Sequence, residues 1–414
     1  MNVTLTGGER SGVVKIPASK SVAHRVLITA ALSKGKCVIL CDGLSSDIEA
    51  TIDCLNSFAA EIKTEDGMIY VSPRDISKEC DLYCRESGST LRFLLPVIGA
   101  LGIEAVFHME GRLKDRPMDA LFEVLSEHGM TLRKEGSLLY AKGKLSAGDY
   151  SVPGNVSSQF VSGLLLALPL LSEGSTLTVT GEIQSGNYIE MTKEALRISD
   201  VSFKCEDNRY LIKGMGRFGV PSEVKVESDW SSAAFYLCLG ALSSKGVTVT
   251  GMNLDSLQGD KAVLSVLEAF GAKITETSEY IHVSKGDLHG IRIDASEIPD
   301  LIPAVSVIGA YAKGETRIVN AARLRFKESD RLRTTSEMIK SLGGEVTELE
   351  DGLVIYGKEF LAGGRTESYN DHRIAMSAAV AAAGCKGNVT IEGAECTDKS
   401  FRAFWDIFNS LERN

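Results

Sequence analysis

A short phrase recurs six times along this 414-residue chain: an apolar, helix-like run, a glycine, then a β-branched strand. It reads ITAALSKGKCVIL, LPVIGALGIEAVF, LALPLLSEGSTLTVT, LCLGALSSKGVTVT, VIGAYAKGETRIV and VAAAGCKGNVTI. The glycines are Gly35, Gly102, Gly174, Gly246, Gly314 and Gly387, spaced 67, 72, 72, 68 and 73 residues apart. Self-similarity at a near-constant period marks a repeat architecture. A glycine after each apolar run is expected to be the left-handed residue that ends a helix.

The rest of each unit lines up behind that phrase. A polar loop follows the strand, then a second amphipathic helix, then a β-hairpin. IDCLNSFAAEIKTEDGMIYVS, VLSVLEAFGAKITETSEYIHVS and SEMIKSLGGEVTELEDGLVIYG are three clear copies. At FAAEI, FGAKI and LGGEV the helical spacing gives way to alternation of strand type. The sixth copy stops after FRAFWDIFNSL, without a hairpin, whereas the opening MNVTLTGGERSGVVKIP reads as a strand pair with no helix before it. The N-terminus is therefore expected to supply the hairpin that the sixth copy lacks. Three repeats per domain then give one domain of residues 1–18 plus 228–414, holding both termini, and an inserted domain of residues 19–227. Short alternating strands and helices make the class α/β.

Composition narrows the function. A formal net charge of −10 argues against nucleic acid or a membrane surface as partner. The nine cysteines form no CxxC pair and no zinc spacing, so free thiols in a reducing cytoplasm are expected. Cys396, near the DK dipeptide at residues 398–399, is a candidate reactive thiol. Apolar runs such as FVSGLLLALPLL are about a dozen residues, short of the roughly 20 a bilayer span needs. No Walker loop, zinc helix motif or nucleophile elbow occurs.

The reactive residues cluster at one place in the repeat. The first helix of each copy follows PASKSVAHR, RESGSTLR, NVSSQF, SDWSSA, SEIPD or YNDHR. Loops before second helices include MEGRLKDRP, GEIQSGNY, RFKESDR and ECTDK. Helix N-termini present unpaired N–H groups and the positive dipole end, which suit phosphate and carboxylate. Lys20, Arg25, Arg92, Arg112, Lys327, Arg331, Arg373 and Lys399 fall in these motifs. Two like charges about 4 Å apart repel by roughly 4 kcal/mol at an effective dielectric near 20. Converging cations thus call for an anionic ligand. Each motif also has a plain structural reading. The serines of PASKS and NVSSQF suit N-caps, Asp300 suits a dipole-favoured start to a Pro-initiated helix, and His372 suits a satisfied buried histidine.

Taken in order, PASKSVAHR, SGSTLR, GRLKDRP, VSSQF, LQGD, IPD, KESDR, NDHR and ECTDKSF resemble the 5-enolpyruvylshikimate-3-phosphate synthase family over nearly the whole chain. The resemblance implies two similar domains of three βαβαββ repeats, an inside-out α/β barrel each, with the active site in the cleft between them. It implies transfer of the enolpyruvyl group of phosphoenolpyruvate to the 5-hydroxyl of shikimate 3-phosphate, with no metal and no organic cofactor. The phosphate of phosphoenolpyruvate would meet Lys20, Arg112, Gln159, Lys399 and the Gly88 amide, and its carboxylate Arg331 and Arg373. Shikimate 3-phosphate would meet Ser157, Ser158 and Ser185, with Tyr188 nearby, at its phosphate. Ser21 and Arg25 would take its carboxylate and Asp300 and Lys327 its ring hydroxyls, with Gln159 and Lys20 also in contact with it. Asp300 is the expected base toward the hydroxyl, and Glu328, with Lys20, the proton carrier at the methylene. The partners are these two small molecules, and the chain is expected to be monomeric. It departs from the family pattern at Ala18, Glu86, Phe93 and Arg323, where Gly, Asn, Pro and Asn are usual. The sister family acting on UDP-N-acetylglucosamine has Lys-Asn at Lys20-Ser21 and a Cys in the loop that here reads GRLKDRP. The same repeats would also suit a non-catalytic module that binds anions, or an RNA-end-processing enzyme, against which the acidic balance argues.

Overall fold

A computed structural model describes residues 1–413. Twelve α-helices follow in chain order: α1 (Lys20–Ala31), α2 (Ser46–Phe58), α3 (Gly88–Leu101), α4 (Asp119–Glu127), α5 (Ser158–Ala167) and α6 (Gly186–Ile198), then α7 (Trp230–Ala241), α8 (Val263–Phe270), α9 (Ile302–Tyr311), α10 (Arg331–Ser341), α11 (His372–Ala381) and α12 (Phe404–Ser410). Two helices thus fall to each of the six sequence copies. The chain forms two compact units, Met1–Pro17 with Ser228–Asn414, and Ala18–Glu227. Ala18 goes with the second of these because its N–H donates to the carbonyl of Asp42.

One sheet shows the plan of five of the six, the sixth having three strands and no hairpin. Glu79–Arg85 runs parallel to Glu104–Met109, across α3. Glu104–Met109 pairs antiparallel with Leu138–Gly143, which forms a hairpin with Met130–Glu135. The same order recurs in the sheet of Asp149–Pro153 and in that of Arg292–Asp294. In Ala18–Glu227 the remaining sheet is closed by the end of the segment, where Glu223–Lys225 pairs parallel with Cys37–Leu40.

The N-terminal strands do not form the expected hairpin. Asn2–Leu5 pairs antiparallel with Val389–Glu392 and completes the sixth sheet. Arg10–Lys15 pairs parallel with Val247–Thr250 and completes the fourth. The connection cannot turn back on itself because it is pinned to the turn after α11. Gly8 donates to the Ala382 carbonyl, and a Cβ on Gly7 would run into the carbonyls of Cys385 and Gly387.

Packing is inside-out in each unit. The first helix of every copy is buried nearly all round: in α7 every residue but Ser231 is inside. Such a helix, apolar on all faces, needs neighbours on all sides. In one unit α7, α9 and α11 pack on one another, and in the other α3 packs on α5. The sheets lie outside and alternate, as in Glu315–Val319, where Thr316 and Ile318 point in while Glu315 and Arg317 face solvent. Each unit has its own apolar core. Pro96 has no N–H to give the Arg92 carbonyl, and a Cβ on Gly163 of α5 would run into that carbonyl, so there is room for no side chain there. The expectation for the repeat glycines holds in part. Gly102, Gly246 and Gly314 have left-handed backbones, while Gly35, Gly174 and Gly387 do not, and only Gly102 caps its helix directly.

Candidate active site

The motif serines and aspartates turn out to be helix caps. Ser19, Ser45, Ser87 and Ser157 accept backbone N–H groups at the starts of α1, α2, α3 and α5. In the other unit Asp229, Asp330 and Asp371 do the same for α7, α10 and α11. A neutral hydroxyl cap leaves the positive end of the helix for an outside anion, whereas a carboxylate cap fills it. Four helices of Ala18–Glu227 thus start on a neutral hydroxyl cap, and three of the other unit on a carboxylate.

In Ala18–Glu227, Lys20 opens α1 and its Nζ lies 2.8 Å from Asp47 Oδ2 on α2. Gly88 opens α3, beside the guanidinium groups of Arg92 and Arg116. Arg92 Nη1 donates to Gln159 Oε1 at 2.7 Å, and Gln159 Nε2 donates to Ser89 Oγ at 2.9 Å. The Gln159 carboxamide thus spans α3 and α5. Ser158 is buried at the start of α5, and Ser185 is buried with a left-handed backbone at the start of α6, φ 58°. A non-glycine residue held there stores strain of the kind found at ligand sites. Arg112 is exposed on the turn Gly111–Asp115.

Arg25 is placed deeper than the resemblance implies, at 1% exposure. Its Nε donates to Thr192 Oγ1 at 2.7 Å, its Nη1 to the Ser21 carbonyl at 2.5 Å, and its Nη2 to the Tyr188 carbonyl at 2.8 Å and to Ser162 Oγ at 3.3 Å. Its guanidinium also lies over the Phe93 ring, 4.9 Å from the centroid. Burial lowers its pKa to about 10. Four of its five N–H donors tie Ser21 to α5 and α6, and one Nη1 hydrogen is left over.

In the other unit the cations do not face one another unbalanced. Arg331, 1% exposed, is gripped by three carboxylates. Its Nη1 is 2.7 Å from Asp300 Oδ1, its Nη2 2.7 Å from Glu328 Oε2, and its Nε 2.8 Å from Asp371 Oδ2. Lys327 Nζ is 3.4 Å from the same Asp300 oxygen. Arg373 Nη2 is 3.4 Å from Asp300 Oδ2, and its Nη1 donates to the Asp300 carbonyl at 3.0 Å. Lys327, Arg331 and Arg373 are thus matched by Asp300, Glu328 and Asp371. The expectation that converging cations demand an external anion is corrected here: the chain supplies its own counter-charges. Asp371, fully buried, is also the acceptor for Ser329 Oγ at 3.0 Å and for the Arg373 backbone N–H at 3.0 Å.

Two groups here titrate in an unusual range. Burial, opposed chiefly by the charge of Asp300, brings Lys327 down to about 8. Burial, with the charge of Asp300 added, pushes Asp260 up to about 6 against the pull of Arg373. Lys399 is buried at the end of the turn Ala394–Lys399, which packs on α11. The reactive-thiol reading of Cys396 fails, since burial pushes its thiol up to about 12.

The motifs name the cations but not their partners. Asp371 and Asp260 stand inside motifs and Asp47 outside them, and in each case the partner of a carboxylate is a tertiary matter. Among the described residues no group of three or more His, Cys, Asp or Glu is placed to hold a metal ion. Nor is any helix long and apolar enough to cross a membrane.

Six copies of a two-helix repeat in two inside-out α/β units, with basic and acidic side chains gathered at helix starts, define the architecture of an enolpyruvyl transferase. Residues 5–408 match the family EPSP synthase (3-phosphoshikimate 1-carboxyvinyltransferase), and the chain belongs to that family. It is 42% identical to a 3-phosphoshikimate 1-carboxyvinyltransferase of Clostridium perfringens over 99% of this chain and 98% of the relative. It is 41% identical to that of Clostridium kluyveri, over 99% and 97%. Among solved structures, EPSP synthase from Acinetobacter baumannii matches with TM-score 0.82 and 26% identity, covering 100% of this chain and 98% of the other. The enolpyruvyl transferase NikO from Streptomyces tendae shares the fold, with TM-score 0.82 at 17% identity over 99% and 97%.

Proposed function

We propose that the chain joins shikimate 3-phosphate and phosphoenolpyruvate by the following division of roles. The chain is a 3-phosphoshikimate 1-carboxyvinyltransferase of aromatic amino acid biosynthesis. The observation that carries the assignment of roles is the balanced cluster around Arg331. Three carboxylates hold one guanidinium, two of them shared with or adjacent to Lys327 and Arg373.

The carboxylate of phosphoenolpyruvate takes the place of a protein carboxylate on Arg331 and Arg373, where paired N–H groups match its two oxygens. Its phosphate is met by Lys20, Arg112, Gln159, Lys399 and the Gly88 amide. The phosphate of shikimate 3-phosphate is met by Ser157, Ser158, Gln159 and Ser185, next to Tyr188. Its carboxylate goes to Ser21 and the remaining N–H of Arg25, and its hydroxyls to Asp300, Lys327 and Lys20.

Asp300 accepts the proton of the 5-hydroxyl as its oxygen bonds to C2 of phosphoenolpyruvate. Glu328, which takes up a proton once the carboxylate of phosphoenolpyruvate has displaced it from Arg331, donates that proton, assisted by Lys20, to the methylene, which becomes a methyl group. The tetrahedral intermediate then loses a methyl proton, most directly back to Glu328. The C–O bond to phosphate breaks, the phosphate departs as hydrogen phosphate with the proton that Asp300 had taken up, and the enol ether remains with both carboxyl groups returned to their starting states. Fixed cations stabilise the anionic intermediate without reorganising. The protein works as a monomer in the cytoplasm on these small molecules alone.

Phosphate release from shikimate 3-phosphate with phosphoenolpyruvate, beside UDP-N-acetylglucosamine as the alternative acceptor, tests the reading. Turnover is expected with the first acceptor only. Glu328→Gln should lose at least about a hundredfold in turnover while still binding both substrates, the scale of one lost proton-transfer group. Turnover with the second acceptor, or undiminished turnover in Glu328→Gln, would overturn it.

A further inference from the structure

Beneath the Lys20–Asp47 ion pair runs a second, neutral link between the same helices. His24 stands four residues after Lys20 on α1, and Thr51 four after Asp47 on α2, so each pair shares a helix face. His24 Nδ1 and Thr51 Oγ1 are 2.7 Å apart, Thr51 Oγ1 and Thr90 Oγ1 are 2.7 Å apart, and Thr90 Oγ1 lies 2.7 Å from Ser87 Oγ. All four residues are fully buried. Ser87 is the cap of α3, taking the Thr90 backbone N–H at 3.3 Å, and precedes Gly88. The line therefore joins the second turns of α1 and α2 to the first turn of α3.

Proton counting gives the line a direction. Each hydroxyl has one proton to donate. The Nε2 of His24 is buried without a hydrogen-bond partner. A bare buried acceptor is better tolerated than a bare buried N–H. The imidazole hence carries its proton on Nδ1 and donates to Thr51, Thr51 donates to Thr90, and Thr90 to Ser87. One proton is left over, on Ser87 Oγ, at the residue before Gly88. The edge of the His24 ring meets Phe93, with centroids 6.4 Å apart at 86°. The charged groups acting on His24 are Asp47 on α2 and Lys20 and Arg25 on its own helix. Burial outweighs the attraction of Asp47, so the imidazole stays neutral down to about pH 3.

We propose that His24, Thr51, Thr90 and Ser87 form a one-way hydrogen-bonded chain that positions Lys20 and the Gly88 amide for the phosphate of phosphoenolpyruvate. The four act through other groups and are positioning residues. This rests on the reaction assigned above, in which Lys20 and Gly88 meet that phosphate.

The test is steady-state phosphate release with Thr51→Val, Thr51→Ser and, as a packing control, Thr29→Val, with 15N NMR of the wild-type imidazole. Thr29 is buried on α1 and bonds only the Val26 carbonyl. Thr51→Val should raise KM for phosphoenolpyruvate about tenfold, the scale of one buried hydrogen bond left unmade, and leave KM for shikimate 3-phosphate within about twofold. Thr51→Ser should restore it, and Thr29→Val should lower Tm without moving either KM. His24 should show protonated Nδ1 and bare Nε2. A folded Thr51→Val with unchanged KM for phosphoenolpyruvate overturns the proposal, and so does protonated Nε2 in the wild type, whether or not the variant folds. Failure of the wild type to release phosphate would overturn the reaction instead, and the tautomer would still decide the chain.

Discussion

Lys327 shows how much of a residue's chemistry is set by neighbours. A solvated lysine stays charged to above pH 10. Here burial, opposed by Asp300, brings that point to about 8. Below pH 8 the ammonium is present for the shikimate hydroxyls, and above it that contact is lost. kcat/KM for shikimate 3-phosphate should therefore fall as pH rises through about 8. In Lys327→Arg, whose charge persists, activity is lower because the geometry differs, but the alkaline limb should move beyond the range. A pH profile from 6.5 to 9.5, run on both proteins, checks this; an unmoved limb would sink it. The KESDR motif made Lys327 legible as a site cation. The depressed pKa was not legible, because it comes from burial, reinforced by Arg331 and Arg323 and opposed by Asp300. The same holds for Asp371, whose grip on Arg331 crosses between two sequence copies.

At the scale of helices and strands, the six first helices were legible because an apolar run ending near a glycine is a local signal. Their N-terminal motifs were legible too, since hydroxyl and carboxylate caps are read within four residues. The fate of the N-terminal strand pair was not. Two alternating segments around Gly7-Gly8 read as a hairpin, yet one joins the sixth sheet and the other the fourth. What separates them is the turn at Ala382–Gly387, nearly four hundred residues away. A Cβ on Gly7 would stand 2.6 Å from the Gly387 carbonyl and closer still to that of Cys385. Gly7→Ala should therefore cost about 1–3 kcal/mol, the range for overpacking, and lower Tm by several degrees. Thermal unfolding measures it, and a Tm within one degree of wild type would refute the pinned connection.

For the molecule as a whole, the proposed contacts of shikimate 3-phosphate divide between the units: Ser157, Ser158 and Ser185 in one, Asp300 and Lys327 in the other. Each unit has its own core. Shikimate 3-phosphate stabilises the folded chain in so far as it binds that and not the unfolded one. Scanning calorimetry with shikimate 3-phosphate at a hundred times its Kd should therefore add about 2.7 kcal/mol to the free energy of unfolding. An unshifted thermogram would refute the binding. The sequence alone determined the six-part repeat, the α/β class, the family and the identities of the cations. Those signals lie in period, local spacing and residue type, which survive without coordinates. Only the tertiary structure decided that the cations arrive already matched by Asp47, Asp300, Glu328 and Asp371, that Arg25 is buried, and that His24 begins a hydrogen-bonded line to Ser87. Each of these is a distance between residues far apart in the chain, and burial converts that distance into charge state and bond direction.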